Sequence, residues 1–389
     1  MENTERNRII GKIADCIVSP LALGSDENYR KILNGQSVAK LHENAFGLPE
    51  PFFGSLFDRE WIDETFDRIC RNPKNIRYTR FEKIAIVSAQ LAVNEANIDA
   101  SKDNVLFVLS TTKGNVELLQ DYDGYSPERA YLWSSAELIA NYFGNPNRPL
   151  VASNACISGV AAQLTAFSFL KSGRFDHAVV IGAEMLSRFV ISGFQSFKAL
   201  STSRCKPFDK NRTGLNLGEG AATAVFSASE ENIFPANSII FRSGGNCNDA
   251  NHISGPSRTG EGLHNAIEKA LSGIDRNGLA FINAHGTATP YNDDMESFGI
   301  SRSGLGHIPV NSLKGYFGHT LGAAGVLETI ISSKALQAHT VVPTFGHENF
   351  GVVNRINVCT SMQKSENGMF IKLISGFGGS NAAIVFGLN

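Results

Sequence analysis

Short apolar runs alternate along this chain with longer segments of helical character. Runs of five to seven residues at positions 105–109, 177–182, 222–228, 279–283 and 382–386 predict strands. The longer segments 84–96, 159–171, 262–271 and 321–338 predict helices. Alternation of this kind predicts a layered α/β fold. No low-complexity tract or Pro/Ser-rich linker breaks the pattern, so the chain does not read as modules on flexible tethers.

A weak internal echo adds to this. In ACISGVAAQLTAFSFLKSG, Cys156 is followed three positions later by glycine and then by an apolar helix. In GHTLGAAGVLETIISSKALQ, His319, Gly322 and a similar helix stand in the same relation. Each predicts a turn that delivers a side chain at the start of a helix.

At 389 residues the chain has room for two or three average domains or one large α/β body. A formal charge of −2 argues against a nucleic-acid surface. The opening MENTERNRIIGK is polar and mixed in charge, unlike a signal peptide, and no segment approaches the roughly 18 apolar residues of a membrane span. A cytoplasmic location is expected. The six cysteines, at 16, 70, 156, 205, 247 and 359, show no CxxC spacing, which predicts reduced thiols and no zinc site.

Three stretches carry chemistry: Cys156 in SNACISGVAA, His285 in NAHGTATPYND and His319 in LKGYFGHTLGAAG. A cysteine can carry an acyl group as a thioester, and two imidazoles can hold a carbonyl oxygen while a carbanion develops beside it. Cys156 should sit where a strand gives way to a helix, and a helix amino terminus favours thiolate, so a lowered thiol pKa is expected. Neutral imidazoles donating from Nε2 into a dry pocket would do their work without metal or cofactor.

Together and in this order, the motifs resemble those of β-ketoacyl-acyl-carrier-protein synthases of the elongating Cys-His-His type, from IVSPLALGSDENYRKILNGQS near the start to the closing GFGGSNAAIVFG. The resemblance implies a thiolase-like fold: a duplicated, five-layer α-β-α-β-α architecture, with halves spanning 1–235 and 236–389. It implies an acyltransferase that decarboxylates malonyl-carrier and joins the product to an acyl group on Cys156. It further implies a Lys314–Glu328 pair fixing His319, Thr287 and Thr289 facing a pantetheine arm, and Phe377 gating the acyl tunnel. The Phe377 N–H would join that of Cys156 as an oxyanion donor. Asp293 and Glu296 are expected to support the His285 loop, and His252 to support the site from behind.

The resemblance implies a separate acyl carrier protein as partner and a homodimer, with a heterodimer possible. Lys74 and Arg77, in the basic run from Arg71 to Arg80, and Lys206 are the expected docking charges. Three departures from the family pattern stand out: Ser375 two places before the gate, the bulky Tyr316–Phe317 pair, and a short LSTSRCKPFD loop. They leave acyl preference open, and both fatty acid and polyketide or polyene assembly fit. A thiolase or Cys-His-Asn enzyme using coenzyme A, and a noncatalytic chain-length partner, are the alternatives.

Overall fold

The computed structural model describes residues 8–72 and 74–389; the polar start read above, at residues 1–7, lies outside them. Eleven strands form one hydrogen-bonded sheet. Five come from the first part of the chain: Ile9–Val18, Val105–Ser110, Leu150–Ala152, His177–Glu184 and Gly220–Ser229. Across the sheet they lie first, fifth, fourth, second, third. Five more, Ile239–Asn248, Leu279–Asn283, Pro309–Asn311, Met369–Gly376 and Ser380–Leu388, repeat that order, with the short Asn357–Val358 at the far edge.

The polarity repeats as well. In each set the first strand is antiparallel to the fifth and the fifth to the fourth, while the remaining pairs are parallel. The two first strands meet antiparallel, with Gly11 opposite Ile240. The expected division at 235/236 falls in the connection between Gly220–Ser229 and Ile239–Asn248.

Alternation along the strands builds the layers, because successive side chains point to opposite faces. Leu106 and Val108 face a central core holding Val160 and Phe167 of helix Ser158–Lys171 and Val326 and Ile330 of helix Ala324–Gln337. Phe281, Phe370 and Ile384 reach the same core from the second set of strands. Val105, Phe107 and Leu109 face outward onto helix Arg80–Ala96. Ile282, Ile371 and Leu373 face outward onto helices Glu261–Ala270 and Pro290–Arg302. Helix, sheet, paired helices, sheet, helix: this is the five-layer, thiolase-like arrangement.

All five expected strands and four expected helices form, with shifted ends. Helix Arg80–Ala96 begins four residues early because Thr79 and Glu82 make a capping box. The segment 321–338 splits into a 3-10 turn, Leu321–Ala323, and helix Ala324–Gln337, with Leu321 in the left-handed region at φ 45°. Among the described residues no helix is long and apolar enough to cross a membrane.

Candidate active site

The central helices and the strand ends beside them converge on one cavity of about 530 Å³. Cys156 enters it from the turn after strand Leu150–Ala152. Ala155 is held left-handed at φ 44°, a conformation that costs an ordinary residue roughly 1–2 kcal/mol. Ser158 Oγ offsets this by accepting from the Asn154 N–H at 2.8 Å and donating to the Ala155 carbonyl. Cys156 is 8% exposed and precedes the helix cap, Ile157. The expected fall in its pKa is not found. Burial pushes the thiol up to about 12, and the nearby Lys314 ammonium only partly opposes it.

His319 arrives on a backbone that only glycine can lead. Gly318 has φ 74°, and a Cβ there would lie 2.4 Å from the Leu217 carbonyl oxygen. His319 N–H donates to Asn216 O at 2.6 Å, which fixes the ring's origin. Its Nδ1 accepts the Leu321 N–H at 3.2 Å, so in the neutral ring the proton sits on Nε2, 3.0 Å from Cys156 Sγ. The left-handed turn at Leu321 aims that amide. Reactive atoms of Cys156, His285 and His319 all lie within 4.8 Å of one another, close enough to bridge a metal. The Leu321 contact speaks against that use, since it makes Nε2 a donor rather than a ligand.

His285 follows strand Leu279–Asn283, and its ring meets that of His319 edge-on, centroids 4.9 Å apart at 79°. Glu296 accepts the His285 N–H at 2.7 Å and the Gly286 N–H at 2.6 Å. Asp293 accepts from Thr287 N and Phe208 N. These carboxylates shape the loop, as expected of them. Both histidines are held well below the ordinary imidazole range, first by burial and then by the Lys314 ammonium, so both are neutral.

Behind the rings Lys314 Nζ pairs with Glu328 Oε1, both buried. A third member was not foreseen: Lys372 Nζ lies 2.6 Å from Glu328 Oε2. Its signal is a lone lysine inside the apolar run MFIKLISG. Glu184 was missed too. It accepts N–H groups from Thr112, Lys113 and Gly322, tying a neighbouring loop to the turn after His319.

At the cavity wall the Thr287 and Thr289 hydroxyls lie 2.9 Å apart. Phe377 is 38% exposed and packs on Phe194 and Phe197 at 5.8 and 5.3 Å. A Cβ on the preceding Gly376 would lie 3.0 Å from the Cys156 backbone nitrogen, so glycine lets this strand end reach the cysteine. His252, expected to support the site from behind, is instead exposed at the cavity rim, where its Nδ1 accepts from Gly255 N. Ser375 also lines the cavity, bonded to Asn381. Tyr316 is buried, its hydroxyl donating to Pro343 O.

The basic residues expected at a docking surface are less free. Arg77 pairs with Asp123 at 2.6 Å and covers the Tyr125 ring, and Lys206 pairs with Glu348 at 3.0 Å. Lys74 is exposed. None of the three lines the cavity, whereas Lys198 does.

Residues 13–232 match the family model described as β-ketoacyl synthase, N-terminal domain, and residues 238–348 match its C-terminal domain. A curated relative from Schizosaccharomyces pombe, a putative mitochondrial 3-oxoacyl-[acyl-carrier-protein] synthase, is 27% identical across 95% of this chain and 96% of its own. The 3-oxoacyl-[acyl-carrier-protein] synthase 2 of Rhizobium meliloti is 28% identical over the same shares. Among solved structures, the ishigamide ketosynthase/chain length factor superposes with a TM-score of 0.87 at 24% identity, over 98% of this chain and 99% of that one.

Proposed function

Because this chain belongs to the β-ketoacyl synthase family, we propose that Cys156, His285 and His319 carry a decarboxylative condensation between two thioesters. The observation that carries the reading is the 3.0 Å contact from His319 Nε2–H to Cys156 Sγ, with the neutral His285 ring beside it.

In the first half-reaction the Cys156 sulfur attacks an acyl thioester on a carrier's pantetheine arm. The carrier sulfur leaves with the proton given up by Cys156, and the acyl group stays on Sγ. The backbone N–H groups of Cys156 and Phe377 hold the oxyanion. In the second, a malonyl thioester enters along Thr287 and Thr289. Its bond to the carboxylate breaks, carbon dioxide leaves, and the electron pair becomes an enolate whose oxygen accepts from His285 and His319. The carbanion then attacks the Cys156 thioester and expels the thiolate, giving a β-ketoacyl carrier two carbons longer. Lys314 and Glu328 hold His319 in place without touching substrate.

An acyl carrier protein, the substrate-bearing partner in the relatives' names, is the proposed partner here, and a homodimer the proposed assembly. The proposed units are 1–235, bearing the nucleophile, and 236–389, bearing the histidines. All six cysteines are free thiols, which suits the cytoplasm as the proposed compartment. A chain-length partner is the second reading, since the superposed ishigamide structure names such a factor. An intact cysteine and two histidines disfavour it. Incubation with a panel of acyl-carriers, read by intact mass, tests the choice: an adduct on Cys156, lost in Cys156→Ala, supports the synthase. An acyl group on Cys205 or Cys247 would sink it.

A further inference from the structure

Lys372 is out of place by every rule of burial. It sits mid-strand in Met369–Gly376 between Ile371 and Leu373, with Phe370 and Ile374 beyond them, and all five side chains are buried. Its ammonium lies 2.6 Å from Glu328 Oε2 and donates to Leu373 O at 2.8 Å and to Ala284 O at 3.3 Å. Ala284 is the residue before His285. Glu328 thus bridges two ammonium groups, Lys314 and Lys372, and the Glu296 carboxylate at the His285 loop is a further buried charge within reach of Lys372. Taking an ammonium out of water costs several kcal/mol, and an apolar residue of similar volume would sit mid-strand without that cost.

We propose that Lys372 is a positioning residue that adds a second ammonium to that of Lys314 beside His285 and His319, further disfavouring imidazolium and steadying the oxyanion they hold. This rests on the reaction proposed above. Other charged or titratable groups face the rings too. Helix Pro290–Arg302 brings Asp293 and Glu296, helix Ala324–Gln337 brings Glu328, the turn at 314–317 brings Lys314, and Cys156 lies across from His319. Lys372 acts on both histidines in the sense that opposes protonation. Burial and Lys314 draw its own ammonium down to about 8, which leaves it mostly charged at neutral pH.

Lys372→Met and Lys372→Gln test this, the second keeping a donor toward Ala284 O without the charge. Loss of a nearby positive charge favours imidazolium, so the histidine pKa must rise. Histidine NMR titration of the substrate-free protein should show His285 or His319 protonating at higher pH in both variants. In a Cys156→Gln background the acidic limb of malonyl-thioester decarboxylation should move to higher pH. A lower melting temperature is expected in both variants, since Glu328 Oε2 loses its ion-pair partner, so each measurement is made well below the transition. Unmoved histidine titrations in either variant overturn the proposal, whatever the rate does, and so does an unmoved limb. Moved titrations in a protein with no malonyl decarboxylation overturn the reaction reading and leave the charge placement standing.

Discussion

Gly159 and Gly325 are in backbone contact where the two central helices cross, so that a Cβ on Gly159 would lie 2.7 Å from the Gly325 Cα. A Cβ on Gly325 would lie 2.5 Å from Val160 N. Cys156 precedes one of these helices and His319 the other, and the crossing therefore sets the distance between nucleophile and imidazole.

Gly325→Ala should push the helices apart. Overpacking of this kind costs about 1–3 kcal/mol, and here the obstacle is backbone, which cannot rotate away. A lower melting temperature is expected, together with a loss of condensation larger than the unfolded fraction explains. If activity followed the folded fraction alone, the crossing would be a packing feature without influence on the 3.0 Å contact.

The two half-reactions should separate by residue. His285→Ala and His319→Ala should each slow malonyl decarboxylation by about 100- to 1000-fold, the usual loss for one oxyanion donor. Acyl transfer onto Cys156 should fall less. Cys156→Gln, whose amide imitates the acyl thioester carbonyl, should lose condensation and keep decarboxylation. Radiolabelled carbon dioxide release against intact-mass acylation distinguishes these. Equal loss of both half-reactions in both histidine variants would argue against the enolate-holding role.

Much of this was legible in the residues. The apolar runs located all five strands they were asked for, because a strand buried on both faces leaves a continuous hydrophobic stretch. Cys156, His285 and His319 were legible from their small-residue surroundings, since side chains that converge on one cavity from strand ends need glycine and alanine beside them to be approached closely. Facts set by distant packing were hidden. The thiol pKa of Cys156 follows from burial by elements far away in sequence, which outweighs a local helix start. Arg77 read as a free basic residue because Asp123, its partner, lies 46 residues away. Lys372 looked like one polar residue in a strand. Its meaning depends on Glu328, which a different helix brings to it.

Those pairings reorder the expected docking charges. Lys74 is exposed, whereas Arg77 and Lys206 each face a carboxylate. Lys74→Glu should therefore raise the KM for carrier-bound substrate more than Arg77→Glu or Lys206→Glu, and more steeply at low salt, because rim charges act on encounter. Activity on a small pantetheine thioester should hold. Equal impairment with both substrates would mean damage to the site instead of lost docking.

Phe377 stands on the cavity wall. Its ring lies between Phe194 and Phe197, and its chain neighbours are Gly376 and Gly378, the latter at φ 83°. Glycine on both sides leaves the backbone free to turn, while the aromatic contacts hold one position. If Phe377 gates the cavity, opening costs its stacked contact with Phe194 and its edge-on contact with Phe197, about 0.5–1.5 kcal/mol for each aromatic pair beyond area burial. That is small enough for acylation of Cys156 to tip. Phe377→Ala should release malonate from waiting its turn: more carbon dioxide without an acyl acceptor, slower condensation, and an unchanged fold by circular dichroism. Phe194→Ala, which removes one stacking partner and leaves the gate residue, should shift the same ratio in the same direction by less. If Phe377→Ala kept the wild-type ratio of condensation to idle decarboxylation, with Cys156 acylated normally, the ring would be wall packing and no gate.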